Sequence, residues 1–73
     1  MSTMDTWTKS FAGGTLTFTT EAVGNPVAGY RHEAKFERGT SSYSTSRQST
    51  EALTRADVEN RFADFISEIR HGQ

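Results

Sequence analysis

The sequence predicts an α+β domain: a three- or four-stranded antiparallel β-meander followed by one amphipathic C-terminal helix packed on one face of the sheet. Three observations carry that prediction. Residues 15–38 alternate apolar and polar side chains at a period of two, residues 58–69 carry apolar side chains at a helical period, and glycine-containing turns divide the alternating segments. At 73 residues there is room for one small domain, with a loose start over 1–5, the meander over about 6–48 and the helix over about 55–70.

Thr6 to Phe11 forms a short first strand with Trp7, Lys9 and Phe11 on one side. Ala12-Gly13-Gly14 is a turn signal, because glycine takes positive φ without steric cost. From Thr15 to Val23, Leu16, Phe18, Thr20 and Ala22 share one face, while Thr15, Thr17, Thr19 and Glu21 share the other. Gly24-Asn25-Pro26 breaks this strand, and the proline biases Asn25 toward extended backbone. Val27 to Arg38 alternates equally well, with Ala28, Tyr30, His32, Ala34 and Phe36 opposite Arg31, Glu33, Lys35 and Glu37. Gly39 closes it. Ser42 to Arg47 has only Tyr43 to bury and is expected to be a weak strand, at an edge or poorly ordered.

The helix carries its own start signal. Thr54 can cap it by accepting from the N–H of Asp57, which also puts negative charge in the first turn. Leu53 and Val58 occupy the two positions of a hydrophobic staple. Val58, Phe62, Phe65, Ile66 and Ile69 make one apolar stripe, set to receive the sheet face of Phe11, Leu16, Phe18, Tyr30, Ala34 and Phe36. Arg55–Glu59 and Asp57–Arg61 are spaced as i, i+4 pairs on the outer side. His71 falls in the last turn, where positive charge suits the helix dipole, and Gly72 is placed to stop the helix.

Composition excludes several chemistries. There is no cysteine, hence no disulfide, zinc–thiolate site or thiol nucleophile, which fits a cytoplasmic setting. The longest apolar run is two residues, far short of a transmembrane helix, and the first residues lack the pattern of a secretory signal. Eight basic and nine acidic residues leave a net charge of −1, which argues against a polyanionic partner. The basic set is six Arg and two Lys. That skew has two readings, an interface residue preference or the codon composition of a GC-rich genome.

No residue pattern announces catalysis, a cofactor or a metal. His32 reads as a sheet histidine rather than a general base; it and Glu33 point to opposite faces and cannot ligate one ion together. No serine lies in a nucleophile-elbow context, and Gly13-Gly14 leads into a strand with no lysine behind it. The expectation is therefore a protein that is not an enzyme. Arg31, Arg38 and Arg47, with Tyr43 as a stacking surface, give a second reading as a small nucleic-acid-binding regulator, against which Glu33, Glu37 and Glu51 weigh. Trp7 either covers the end of the core or serves a partner. The Ser-rich last strand would also allow self-pairing into a homodimer.

This build, a very small cysteine-free and nearly neutral meander closed by one helix, resembles the anti-CRISPR proteins of bacteriophages and mobile elements. The likeness covers the architecture of residues 6–71 and no motif, so no functional residue follows from it. It implies a stoichiometric inhibitor that covers a working surface of a large host protein complex, with a phage structural or adaptor protein as the alternative. The expected contacts are Arg31, Lys35, Tyr43 and Arg47, which can share the outer sheet face or its edge, together with the carboxylates Glu33 and Glu37. Such carboxylates can take the place of phosphates in a basic groove.

Overall fold

A computed structural model of the chain describes residues 4–24 and 26–71. Four strands follow one another as β1 (Met4–Phe11), β2 (Gly14–Val23), β3 (Gly29–Arg38) and β4 (Ser41–Ser49), and two helices follow, α1 (Arg55–Arg61) and α2 (Ala63–His71). The sheet is antiparallel throughout, in the order β1-β2-β3-β4, so chain neighbours are also sheet neighbours. The helices lie on one face, and among the described residues nothing packs on the other, open face.

Two of the three hairpins are as short as hairpins become. Phe11 pairs with Gly14 across Ala12-Gly13, whose φ values of 48° and 79° are both positive, the signature of a type I′ turn that matches strand twist. Gly14 is required for a different reason: a Cβ there would fall on the Glu37 carbonyl oxygen and within 2.8 Å of the Phe36 ring. Arg38 pairs with Ser41 across Gly39-Thr40, where Gly39 alone has positive φ, as a type II′ turn demands. The middle connection is longer. Val23 pairs with Gly29, and the Ala28 N–H bonds to the Val23 carbonyl at 2.8 Å, which turns Pro26, Val27 and Ala28 into loop.

Cross-strand rows organise the covered face. Trp7–Phe18–Ala34–Thr45 and Lys9–Leu16–Phe36–Tyr43 are the central rows, with the pairs Phe11–Gly14 and Arg38–Ser41 at one end. Leu16, Phe18, Ala34 and Phe36 are buried from the sheet side, and Val58, Phe62 and Ile69 from the helix side. Trp7, Phe11, Leu53, Phe65 and Ile66 are half-buried around this core. Trp7 stacks on Phe18 at 5.4 Å between ring centroids, and Phe11 meets Phe36 edge-on at 6.3 Å.

Several expectations need correction. Met4 and Asp5 are part of β1 rather than a loose start, because Asp5 is anchored by Arg55 from α1. β3 begins at Gly29, two residues after Val27, since the loop closes on Ala28. β4 lies at the sheet edge, as one of the two expected outcomes had it, but is longer than expected, running over nine residues paired one-to-one with β3. The single helix is two: Phe62 takes φ −103° and ψ 16°, and its N–H bonds to the Glu59 carbonyl three residues back at 3.1 Å, a tightened turn. No proline or glycine marks this break. It falls at the side chain that goes deepest, for Phe62 is fully buried, with its ring against Phe18 and beneath the Arg47 guanidinium. The start signal is as read, Thr54 accepting from the Asp57 N–H at 3.1 Å with Val58 buried and Leu53 half-buried beside it. The expected stop at Gly72 lies outside the described residues, as do Asn25, residues 1–3 and the side chain of His71.

Candidate interaction surface

The open face is mostly polar, with Met4 and Val23 its exposed apolar side chains. Its rows are Met4–Glu21–Arg31–Gln48, Thr6–Thr19–Glu33–Ser46, Thr8–Thr17–Lys35–Ser44 and Ser10–Thr15–Glu37–Ser42. Apart from Met4, no residue in these rows has an aliphatic or aromatic side chain. Hydroxyls from β1 and β2 form one flank and those from β4 the other, with the charges of β3 between them. Adjacent strands sit about 4.8 Å apart and same-face residues about 6.8 Å apart, so the Arg31–Glu37 stripe spans roughly 20 Å. Arg31 is ion-paired with Glu21, and Lys35 lies 3.8 Å from Glu37. These pairs are solvated and contribute little to stability.

The covered face carries a different polar arrangement at the border of the core. In the row Asp5–Thr20–His32–Arg47, the His32 side chain is wholly buried. Its Nε2 lies 2.8 Å from Ser49 Oγ, and that hydroxyl donates its one proton to the Glu51 carbonyl at 2.8 Å. Ser49 can therefore only accept from His32, so Nε2 carries the hydrogen and Nδ1 accepts from the Thr20 hydroxyl, also at 2.8 Å. Burial pushes the imidazole pKa below its ordinary value, and the Arg61 cation adds to that. Among the described residues no buried side-chain nitrogen or oxygen lacks a partner.

Both outer strands are tied to the helices by charge. The Arg55 guanidinium grips the Asp5 carboxylate with two hydrogen bonds of 2.8 and 2.9 Å and lies 5.0 Å over the Trp7 ring. That hydrogen bonding lowers the Asp5 pKa and raises that of Arg55. Glu59 accepts from Lys9 Nζ at 2.7 Å and from the Trp7 indole N–H at 2.9 Å. The Lys9 bond foremost, with Trp7 adding to it, holds the Glu59 carboxyl below its usual range against the opposing effect of burial. The i, i+4 partners expected for Arg55 and Glu59 on the helix are thus replaced by β1. On the other side, Arg47 reaches Asp64 at 3.1 Å and lies 5.5 Å from the Phe62 ring centroid.

The structure brings four of the six expected contact residues together. Arg31, Glu33, Lys35 and Glu37 form the exposed stripe of β3. Tyr43 and Arg47 do not join them on the outer face: both project on the helix side of β4, Tyr43 stacked on Phe36 and 52 % exposed. Their odd numbering puts them in phase with Trp7-to-Phe11 across the meander, a parity fixed by the two-residue hairpin at 39–40. Nor do Arg31, Arg38 and Arg47 form a cluster. Arg31 is on the open face, whereas Arg38 bonds the Ala12 carbonyl at 3.2 Å beside Phe36 on the covered one. Sequence reasoning missed the hydroxyl flank of β1, although Thr6, Thr8 and Ser10 alternate plainly, and it missed the His32 network, which needs Thr20 and Ser49 in register.

Two clefts flank Tyr30, one of about 500 Å³ beside Ser49, Glu51 and Arg61, the other of about 300 Å³ beside Trp7, Val27 and Leu53. Among the described residues no three His, Asp or Glu side chains gather as a metal site would require. None of the helices described is long and apolar enough to cross a membrane. No protein-family model, curated protein or solved structure matches this chain.

Proposed function

We propose that this chain is a non-enzymatic protein-binding inhibitor, using the open polar face to cover a working surface of a larger host protein complex. One observation carries the reading: Arg31, Glu33, Lys35 and Glu37 stand in line on an exposed strand, in the middle of a sheet face that none of the described residues covers. Alternating charge of this kind selects a partner whose own charges alternate in step, because a shift of one position sets like against like. The surrounding Thr and Ser hydroxyls supply short, adaptable donors and acceptors at little entropic cost. The likeness in build to anti-CRISPR proteins supports a phage or mobile-element origin and a host defence complex as the target.

Affinity purification from bacterial lysate with mass spectrometry tests this. The intact chain should retain a stoichiometric protein complex, and reversing the stripe with Glu33→Lys, Lys35→Glu and Glu37→Lys together should release it. Recovery of nucleic acid in place of a protein, with binding that weakens steeply in salt, would replace the reading with a nucleic-acid regulator. Retention of the same complex by the reversed stripe would move the contact elsewhere.

A further inference from the structure

The two edges of the sheet are built differently. On β1, the side chains of Asp5, Trp7 and Lys9 are all bonded to α1, and Lys9 is itself the residue type that guards an edge. β4 has no such guard. Its nine residues contain no Pro, Lys or Gly, it is paired with β3 residue for residue from Ser41 to Ser49 without a bulge, and its one charged side chain is turned toward the helices. Exposed Tyr43 sits at this edge. A long edge with no proline, lysine or bulge pairs with another strand unless something prevents it.

We propose that two copies of this chain pair β4 with β4 in antiparallel, about a two-fold axis at Thr45, joining two four-stranded sheets into one of eight strands. The backbone phase allows it. The turn at Gly39-Thr40 commits the Ser41 N–H to Arg38, so Ser41, Tyr43, Thr45, Arg47 and Ser49 bond to β3. Ser42, Ser44, Ser46 and Gln48 direct their N–H and C=O groups outward. A two-fold at Thr45, the middle residue of the strand, uses all of these outward groups and leaves no overhang. Ser42 then faces Gln48 of the second copy, and Ser44 faces Ser46. On the helix side, Tyr43 faces Arg47 of the second copy, and no like charges oppose each other. This self-association does not depend on the open-face contact, since the charge stripe of β3 lies one strand away.

Sedimentation of the intact chain across the micromolar range, combined with single-cysteine variants, tests the arrangement. The sequence has no cysteine, so an introduced thiol is unique. Thr45→Cys puts two thiols in a non-hydrogen-bonded pair with Cα atoms about 4.5 Å apart, within disulfide reach. In Gln48→Cys the two thiols lie roughly 20 Å apart. Ser44→Pro removes an outward N–H and takes no bond from β3, so the fold is retained while pairing is blocked. The expected results are twice the 8.1 kDa chain mass for the unmodified protein, a covalent dimer from Thr45→Cys only, and a folded monomer by circular dichroism and sedimentation from Ser44→Pro. A single-chain mass at every concentration would overturn the proposal. So would equal cross-linking at positions 45 and 48, or a dimer that survives Ser44→Pro.

Discussion

Phe62→Ala is the sharpest test of how the helices are held. The ring is fully buried, 6.1 Å from Phe18 between centroids and 5.5 Å from the Arg47 guanidinium, and it sits where α1 gives way to α2. Truncating a buried phenylalanine costs about 3–5 kcal/mol, the lost transfer energy plus a cavity. A chain of 73 residues has a total stability of about 4–11 kcal/mol at the usual per-residue range, so between about a quarter and all of it is at risk. At roughly 4–8 °C per kcal/mol, the melting midpoint should fall by at least about 12 °C. Phe65→Ala is the internal control, because that ring is only half-buried and should cost about 1–3 kcal/mol. The assay is urea unfolding followed by circular dichroism at one fixed protein concentration, since self-association would make stability concentration-dependent. If Phe62→Ala cost no more than Phe65→Ala, the break at Phe62 would not be the anchoring point described here.

His32 makes stability depend on pH with a definite sign. Its folded-state pKa is lowered, so just below the unfolded value of about 6.5 the unfolded chain takes up a proton that the folded chain refuses. Stability should be full above that pH and decline below it, by at most about 1.4 kcal/mol per pH unit for one group. Urea midpoints at pH 7.5 and 5.5 should differ accordingly, and His32→Gln should flatten the difference; an unchanged slope would place the titrating group elsewhere. Gly14→Ala should destabilise by about 1–3 kcal/mol by thermal melting, because its Cβ would strike the Glu37 carbonyl, and a neutral result would refute the tight packing of the first hairpin.

Much of this fold is legible along the chain because alternation and helical spacing are local. The faces of β2 and β3, the turn at Gly13, the Thr54 cap and the apolar stripe are all set by residues within one or two turns or a few strand positions of one another. What escaped depends on distant partners. Asp5 becomes strand because Arg55, fifty positions away, holds it. β4 looks weak by composition, and yet it is ordered along its whole length by the ladder to β3. The helix break has no local signature; it coincides with Phe62, whose ring is buried against Phe18 from the sheet. At the candidate surface, the Arg31–Glu37 stripe follows from parity alone, whereas the side taken by Tyr43 and Arg47 required knowing that the last hairpin has two residues and not three.

The odd–even division of the sheet has a consequence for how such a chain can change. The buried core and the open polar face are written on alternate letters of the same strands. Thr17 can be rewritten while Leu16 and Phe18 are kept, and the same holds for Lys35 between Ala34 and Phe36. A lineage, or a laboratory library, could replace the entire outer lattice without disturbing a core residue. The converse is a fragility: one inserted residue in the 12–13 or 39–40 hairpin would exchange the two texts on every position downstream in that strand. Substitution on the open face is therefore the change this fold permits, and insertion at the hairpins is the one it forbids.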